Sequence, residues 1–175
     1  MPPQGEHFPH AQPPYVREAT AHFARRGKHY LVTSGTTGYL PNPSEIAVAD
    51  TWHGPYRVLG NPHPGDESGT SFHSQITSVF KVPGKRDLYI ALADRWAPDL
   101  MHLRYENYGE WFRLRFLQEE RTPEEERRMA ELQKLLPPDS GLDTSKARYV
   151  WLPFRFEGEM GILEWHDQWS LDDFE

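Results

Sequence analysis

The first part of the chain alternates apolar and polar residues in short runs separated by turn residues. The runs predict strands at Ala19–Arg25, His29–Ser34, Glu45–Asp50 and Tyr56–Leu59. Arg26-Gly27-Lys28 is typical of a tight turn, and the stretch 35–43, which contains Gly and Pro, is typical of a loop. We therefore predict one antiparallel sheet of four short strands.

The same pattern starts again in the second half of the chain. It predicts strands at Gln75–Val82, Asp87–Ala93, Tyr149–Phe156 and Ile162–Trp165. The first hairpins of the two halves align without gaps. Gly84 follows Gly27, and Gln75 follows Glu18, by the same offset of 57 positions. An internal repeat of this size is typical of β-propellers. We therefore predict an all-β fold with two antiparallel propeller blades, 18–60 and 72–169, packed face to face.

A long insertion, 98–146, separates the second and third strands of the second blade. Its middle, Thr122–Leu136, predicts one helix, with Thr122 as the N-cap, Pro123 as the first helical residue and three glutamates in the first turn. The apolar residues that fall on one face are Met129, Leu132 and Leu136. A solvated face explains the helix charges, and docking of a specific partner is the alternative.

The N-terminal stretch, 1–15, is rich in Pro and His, which predicts a disordered or extended arm. Residues 16–175 then form the partial propeller domain. The arm lacks the apolar stretch of a secretory signal. As written, the chain is expected in the cytoplasm, whereas a chain with a missing upstream part would be expected to be secreted.

Composition excludes several classes of function. A net charge of -7 argues against nucleic-acid binding, which usually requires a basic surface. A mean hydropathy of -0.76 without a long apolar run predicts no membrane span. Without cysteine, disulfides and thiolate metal sites are impossible. His7, His10, His22 and His29 lack metal-ligand spacing, so we predict no metal site and no cofactor.

Four segments carry a resemblance to a known family. They are Arg17-Glu18-Ala19 with the hairpin 27–35, the loop 36–43 with Ala47–Asp50, Phe72–Gln75, and Ala93–Trp96 with Arg148–Pro153. Together they resemble the last two of the five blades of glycoside hydrolase family 43 propellers, in the branch that includes exo-acting β-1,3-galactanases. The match spans about Val16 to Leu171. The resemblance implies inverting hydrolysis of O-glycosidic bonds in β-linked, galactose-containing, plant-type saccharides.

Glu18 matches the general acid of the family, a Glu at the start of an inner strand just before a small residue. A carboxylic acid at the rim of an apolar funnel can protonate the leaving glycosidic oxygen. The alternative is an exposed Glu that opens a strand.

Gln75 stands where the resemblance places a Gln instead of a catalytic base. An amide is a very poor base, but it can accept a hydrogen bond from water and orient it. Simple binding of a sugar hydroxyl is the alternative. For the inverting pair we predict a separation of roughly 6.5–9.5 Å between Glu18 and Gln75, which leaves room for the attacking water.

Further residues are candidates for contact with the carbohydrate substrate. They are Thr36 and Tyr39 in the loop after the first hairpin, His73, Arg95 and Trp96. His73 is two residues before Gln75 and is expected on the same strand face; a structural histidine is the alternative. Trp96 is the strongest candidate for a rim aromatic, Asn42 shares the loop of Tyr39, and Asp94 is a candidate ion-pair partner of Arg95.

The chain departs from the family by holding about two blades of five. The family's base and pKa-modulating aspartates lie on earlier blades, and nothing before Glu18 matches them. We therefore expect a C-terminal portion, truncated or completed by a chain that supplies the missing blades, or a homo-oligomer that covers the open faces. Two alternatives stay open: a non-catalytic carbohydrate-binding remnant, and a structural or interaction module.

Overall fold

A computed structural model describes residues 17–116, 120–136 and 142–175. The predicted arm, 1–15, lies outside these residues. The first sheet has the strand order β1 (Arg17–Arg25), β2 (Lys28–Gly35), β3 (Glu45–Ala49) and β4 (Arg57–Gly60). Neighbouring strands are antiparallel. Arg25 pairs with Lys28, so the turn contains only Arg26 and Gly27 of the predicted Arg26-Gly27-Lys28, and Gly27 has a φ of +76°. Glycine adopts this left-handed conformation without steric cost.

The second sheet repeats this topology. Its order is β5 (Gln75–Lys81), β6 (Tyr89–Arg95), β7 (Arg148–Glu157) and β8 (Met160–Leu163), again antiparallel. β8 lies two residues before the predicted Ile162–Trp165, because Gly158-Glu159 forms a tight turn and Glu157 pairs directly with Met160. The predicted pair of antiparallel four-stranded sheets is confirmed.

The two sheets bury one apolar core between their facing sides. Its members include Phe23, Tyr30, Val32, Ile46, Val79, Ala91, Leu152 and Phe154. The rings of Phe23 and Tyr30 stack at 4.8 Å, and Phe154 lies 5.6 Å from Phe23. Each fully buried Val, Leu, Ile or Phe side chain contributes about 1.5–3 kcal/mol. This shared core fixes β1 against β5, the first strands of the two sheets.

Polar contacts join the sheets at the hairpin-turn end. Arg25 is 5% exposed and donates two hydrogen bonds to Asp87, from Nε at 2.9 Å and from Nη2 at 2.6 Å. Its guanidinium also lies 3.8 Å from the centre of the Phe156 ring. Tyr89 Oη donates to the Ala24 carbonyl at 2.8 Å. These contacts fix the spacing of the two sheets at the end opposite to Glu18 and Gln75.

The insertion between β6 and β7 contains two helices, α1 (Tyr105–Arg115) and α2 (Pro123–Gln133). α2 confirms the predicted helix, including the capping box in which Thr122 Oγ1 accepts from the Glu125 N–H at 3.2 Å. The prediction of only one helix was wrong. α1 was missed because its sequence, YENYGEWFRLR, combines four aromatic residues with a glycine and has a weak helix propensity. None of the helices described is long and apolar enough to cross a membrane.

Three 3₁₀ turns complete the described chain, at Pro98–Leu100, Thr144–Lys146 and Leu171–Asp173. The last of them belongs to a C-terminal segment, 164–175, that crosses the outer face of the second sheet. There, Trp169 and Phe174 pack against a small cluster of Val82, Leu88 and Ile90. Part of this outer face is therefore covered by the end of the chain.

Candidate functional site

Glu18 and Gln75 lie next to each other where the two sheets meet. Each residue lies at or next to the start of the first strand of its sheet, and the Gln75 side chain Nε2 donates to Glu18 Oε1 at 3.3 Å. The sequence therefore correctly predicted that the two residues open neighbouring strands on one rim. The predicted separation of roughly 6.5–9.5 Å was wrong, because the side chains are in direct contact and no water fits between them.

The backbone is irregular next to both residues. The pairing of β1 with β2 shifts between Glu18 and Ala21, and the pairing of β5 with β6 shifts between Ile76 and Ser78. Ala19 has a φ of 49°, a left-handed conformation that costs a residue with a Cβ roughly 1–2 kcal/mol. A bulge re-aims the neighbouring side chain, and such irregularities occur preferentially next to active sites. Both bulges therefore help to set the directions of Glu18 and Gln75.

A left-handed turn precedes Gln75. Ser71, Phe72 and His73 have consecutive φ values of 56°, 57° and 55°. Left-handed residues normally occur singly, so three in succession need external support. Asp66 supplies it by accepting from the backbone N–H groups of Thr70 at 2.7 Å and Phe72 at 3.0 Å.

The turn changes the position of His73. The residue lies before β5, not within it, so the prediction that His73 shares a strand face with Gln75 was wrong. Its N–H donates to Thr70 Oγ1 at 3.0 Å, and its side chain nevertheless reaches the wall of the same hollow as Gln75. Burial is the largest influence on His73 and lowers the pKa of its imidazole.

Three hydrogen bonds fix the amide of Gln75 at both ends. In addition to the bond to Glu18, Nε2 donates to Ser34 Oγ at 2.7 Å, and Oε1 accepts from the indole N–H of Trp96 at 3.1 Å. The carbonyl oxygen has a second lone pair that can accept from a water or a sugar hydroxyl. The amide is thus held in one orientation with one free acceptor position.

Gln75 lines a small hollow on the rim. The other lining side chains include Tyr39, Asn42, His73, Asp94 and Trp96. The volume open to the centre of a water molecule is about 10 Å³, which corresponds to about one water. The rings of Tyr39 and Trp96 lie 5.7 Å apart at 58°, and Tyr39 is 51% exposed. Exposed rings of this kind can stack on the apolar face of a sugar.

Asp94 is the carboxyl group that lines this hollow. Sequence reasoning considered it only as a partner of Arg95 and missed this position. It pairs with Gln75 across the strands, and burial raises the pKa of its carboxyl, although a hydrogen bond with Thr77 opposes the shift. The strand register could have indicated this position, because Asp94 is directly opposite Gln75 in the antiparallel pair and such residues share one face of the sheet.

Arg95 and Thr36 occupy other places. Arg95 lies on the opposite side of β6 from Asp94, and within the described part of the chain no ion pair joins the two. The Arg95 Nη2 donates to the Phe72 carbonyl at 2.7 Å, so Arg95 stabilises the left-handed turn at 71–73. Thr36 is half-buried at the start of the loop and is not among the described residues that line the hollow.

The wall of the hollow is fixed by the loop after β2 and by α1. The buried Asn42 side chain accepts from the Gly35 N–H at 2.6 Å and donates to the Gly35 carbonyl at 2.8 Å. The fully buried Tyr108 of α1 donates its hydroxyl proton to the Pro41 carbonyl. Asn42 is therefore a structural clamp, and the insertion supports the loop that carries Tyr39.

Comparison with known proteins gives a uniform result at the level of structure. No family model matches the sequence, and no curated protein matches it significantly. A solved family 43 β-1,3-galactosidase superimposes with a TM-score of 0.62 at 25% identity, over 90% of this chain and 24% of that chain. A second family 43 β-1,3-galactosidase, solved with galactodeoxynojirimycin, gives a TM-score of 0.58 at 24% identity, over 89% of this chain and 32% of that chain.

An exo-β-1,3-galactanase from Clostridium thermocellum is also similar, with a TM-score of 0.50 at 23% identity over 85% of this chain. The chain spans 24%, 32% and 23% of the lengths of these three proteins, that is, about a quarter to a third. The propeller-type β fold and the resemblance that the sequence indicated are thereby confirmed. In its fold, this chain is similar to part of a glycoside hydrolase family 43 domain.

Proposed function

We propose that this chain carries part of the sugar-cleaving site of a family 43-type glycosidase. The substrate class is a β-linked, galactose-containing saccharide, and the reaction is inverting hydrolysis of its O-glycosidic bond. The observation that carries the proposal is the contact between Glu18 and Gln75 across two neighbouring blades, beside a hollow with Tyr39 and Trp96. Three similar structures that act on β-1,3-linked galactose support the substrate class.

In this proposal, Glu18 is the proton donor. One oxygen, Oε1, accepts from the amide of Gln75, and the other, Oε2, carries the proton for the leaving oxygen. Gln75 acts through its carbonyl end, which Trp96 holds in place and whose second lone pair orients a water. The hollow has room for about one water, which fits this role.

An inverting reaction also needs a carboxylate base for that water. Asp94 lines the hollow, and its raised pKa makes it a stronger base than an ordinary aspartate. We assign it as the candidate second carboxyl group. The remaining blades, supplied by more of the same polypeptide, by a partner chain or by a homo-oligomer, would close the funnel around the substrate. For the 175 residues alone we expect little turnover, because this enclosure is missing.

The test is hydrolysis of β-1,3-galactobiose by the 175-residue chain and by the longest open reading frame that contains it. Glu18→Gln should abolish turnover, because an amide cannot donate the required proton. Glu124→Gln, which removes an exposed carboxylate on α2, is the matched control. Proton NMR of the first product should show inversion at the anomeric carbon. Equal turnover in wild type and Glu18→Gln would refute the acid role.

A non-catalytic carbohydrate-binding function is the second candidate. The rings of Tyr39 and Trp96 beside the hollow favour it, because they can bind a sugar whether or not hydrolysis follows. Binding of galactobiose without hydrolysis in either polypeptide, weakened by Trp96→Ala, would select this function. No binding of any saccharide would leave the third reading, a structural or interaction module.

A further inference from the structure

A second cleft lies beside the part of β7 that does not pair with β8. It is formed between the start of β7 and the C-terminal segment, and its volume is about 300 Å³. Its lining consists of Arg95, Tyr149–Leu152 and Trp165–Trp169. None of these residues lines the hollow with Gln75. The cleft is large enough for a small ligand, for which pockets of about 300–1,000 Å³ are usual.

Three aromatic side chains of the cleft are exposed to an unusual degree. Tyr149 is 72% exposed, Trp151 48% and Trp165 43%. In a sheet that is otherwise well packed, such rings are available to a ligand on at least one face. Tyr and Trp combine a large apolar ring with a polar group, which suits contact with molecules that have both apolar and polar sides.

The two tryptophan rings are exposed but held in place. Trp165 lies beneath the Arg95 guanidinium at 5.1 Å and beside Phe72 at 5.6 Å, and its indole N–H donates to Asp167 at 2.9 Å. Trp151 meets Phe80 edge-on at 6.1 Å. Side chains that are fixed before binding lose little conformational entropy when a ligand arrives. The cleft is thus a preorganised aromatic surface.

The polar groups of the cleft indicate the kind of ligand. His166, Asp167 and Gln168 line one wall and offer both donors and acceptors, while the charges of Arg95 and Asp167 balance. A strongly charged ligand would not find an excess of opposite charge among these lining residues. Flat apolar surface beside mixed hydrogen-bonding groups, without net charge, matches a neutral sugar, whose ring has an apolar face and a hydroxyl edge.

We propose that this cleft binds a short neutral oligosaccharide, with Tyr149 and Trp151 as stacking platforms. The cleft and the hollow share no lining residue, so sugar binding in the cleft can be tested independently of hydrolysis at Glu18. Since Tyr149 of the cleft pairs across the strands with Asp94 of the hollow, the two sites are adjacent at the end of β6. A saccharide chain bound in the cleft is thereby kept close to the rim.

The experiment is titration of the full 175-residue chain with β-1,3-galactotriose and with cellotriose, followed by saturation-transfer NMR and calorimetry. We expect a dissociation constant that rises at least tenfold in Tyr149→Ala and in Trp151→Ala, with binding restored in Tyr149→Phe, which keeps the ring. Because Tyr149 is so exposed, its replacement leaves the core intact, and a thermal melt checks this. Trp52→Ala, which removes a comparably exposed tryptophan from the loop between β3 and β4, should leave binding unchanged.

Three results would overturn the proposal. One is the absence of binding by the wild type. Another is binding that is lost in Trp96→Ala but kept in Tyr149→Ala, which would place all sugar binding in the hollow. The third is concentration-dependent dimerisation that Trp151→Ala abolishes while sugar binding is unaffected, which would make this face an interface between polypeptides.

Discussion

The two sheets share one topology but differ in what their outer sides meet. In each, the first strand begins with a candidate site residue followed by a bulge, and the inner side packs into the common core. The outer side of the second sheet is partly covered by Trp169 and Phe174. The outer side of the first sheet instead presents His22 and His29, joined by a 3.1 Å hydrogen bond, with Trp52 edge-on to His22 at 4.1 Å.

Strand register shows what this difference means. His29 pairs with Ala24 and faces outward from the first sheet, whereas Ile90 pairs with Phe80 and faces outward from the second. Ile90 is buried beneath Trp169 and Phe174, whereas His29 is half-buried on an open side. Outward-facing strand positions thus carry a polar residue where the side is open and an apolar one where the end of the chain covers it. The repeat fixes backbone geometry, and the neighbours decide side-chain chemistry.

The contact between Arg25 and Asp87, which joins the two sheets, gives the first and largest prediction. Arg25→Met removes the bidentate contact with Asp87, and breaking a buried ion pair costs roughly 3–5 kcal/mol. The lower end is expected, because Asp87 is 31% exposed and water can solvate it. Urea denaturation measures the free energy of unfolding.

Arg26→Met is the matched control for Arg25→Met. Arg26 also contacts Asp87, at 2.8 Å, but is 71% exposed, so its loss should cost less than about 1 kcal/mol. Equal losses in the two variants would show that burial between the sheets does not make this contact strong.

The segment 61–74, which connects the two sheets, gives the second prediction, a dependence of stability on pH. His63 is 2% exposed and edge-on to Phe72 at 5.2 Å. Burial lowers the pKa of His63 to about 4, with partial opposition from the Asp66 carboxylate. The unfolded chain therefore takes up this proton at a higher pH, near the usual value of about 6.5, than the folded chain does.

Stability should be fully present above about pH 6.5 and fall as the pH decreases towards 4, by about 3 kcal/mol from this group. His63→Gln should flatten this part of the curve of unfolding free energy against pH, whatever its absolute stability. His166→Gln, on the exposed C-terminal segment, should leave the slope unchanged. A wild-type curve that is flat between pH 6.5 and 4 would contradict a neutral buried His63.

The open side of the first sheet gives the third prediction. Trp52 is 55% exposed and Val58 48%, and exposed apolar surface favours association by about 25 cal/mol per Å². We expect the isolated chain to self-associate in sedimentation experiments. Trp52→Glu should weaken this association about tenfold, which corresponds to about 1.4 kcal/mol. Tyr149→Glu, on the second sheet, should not. A stable monomer at every concentration would contradict the expectation.

The sequence predicted the regular parts of the fold but not its irregular ones. Turn signals at Gly27 and Gly84 and the N-cap Thr122 act locally, so they could be recognised from neighbouring residues alone. The left-handed turn at Ser71–His73 contains no glycine, and it exists because Asp66 and Arg95 hold it from other segments. The same limit applies to the site.

In the site, Glu18 and Gln75 could be paired from the repeat, since both open equivalent strands. Their direct contact could not, because it depends on how the two bulges rotate the side chains. Asp94, by contrast, could have been placed beside Gln75 from the strand register. Local signals reveal which elements exist, whereas distances between them depend on long-range packing.

Strain beside Glu18 gives the last and smallest prediction. Ala19 has a φ of 49°, whereas Ile76, which follows Gln75 in the second sheet, is not among the described residues with positive φ. Glycine removes the clash of Cβ with the carbonyl oxygen, worth roughly 1–2 kcal/mol, but loses about 0.5–1 kcal/mol through the greater freedom of the unfolded chain. Ala19→Gly should therefore stabilise by about 0.5–1 kcal/mol, and Ala21→Gly, at a regular position of the same strand, should destabilise. If Ala19→Gly destabilises as much as Ala21→Gly does, the bulge is not strained, and the direction of Glu18 is set by its contact with Gln75 instead.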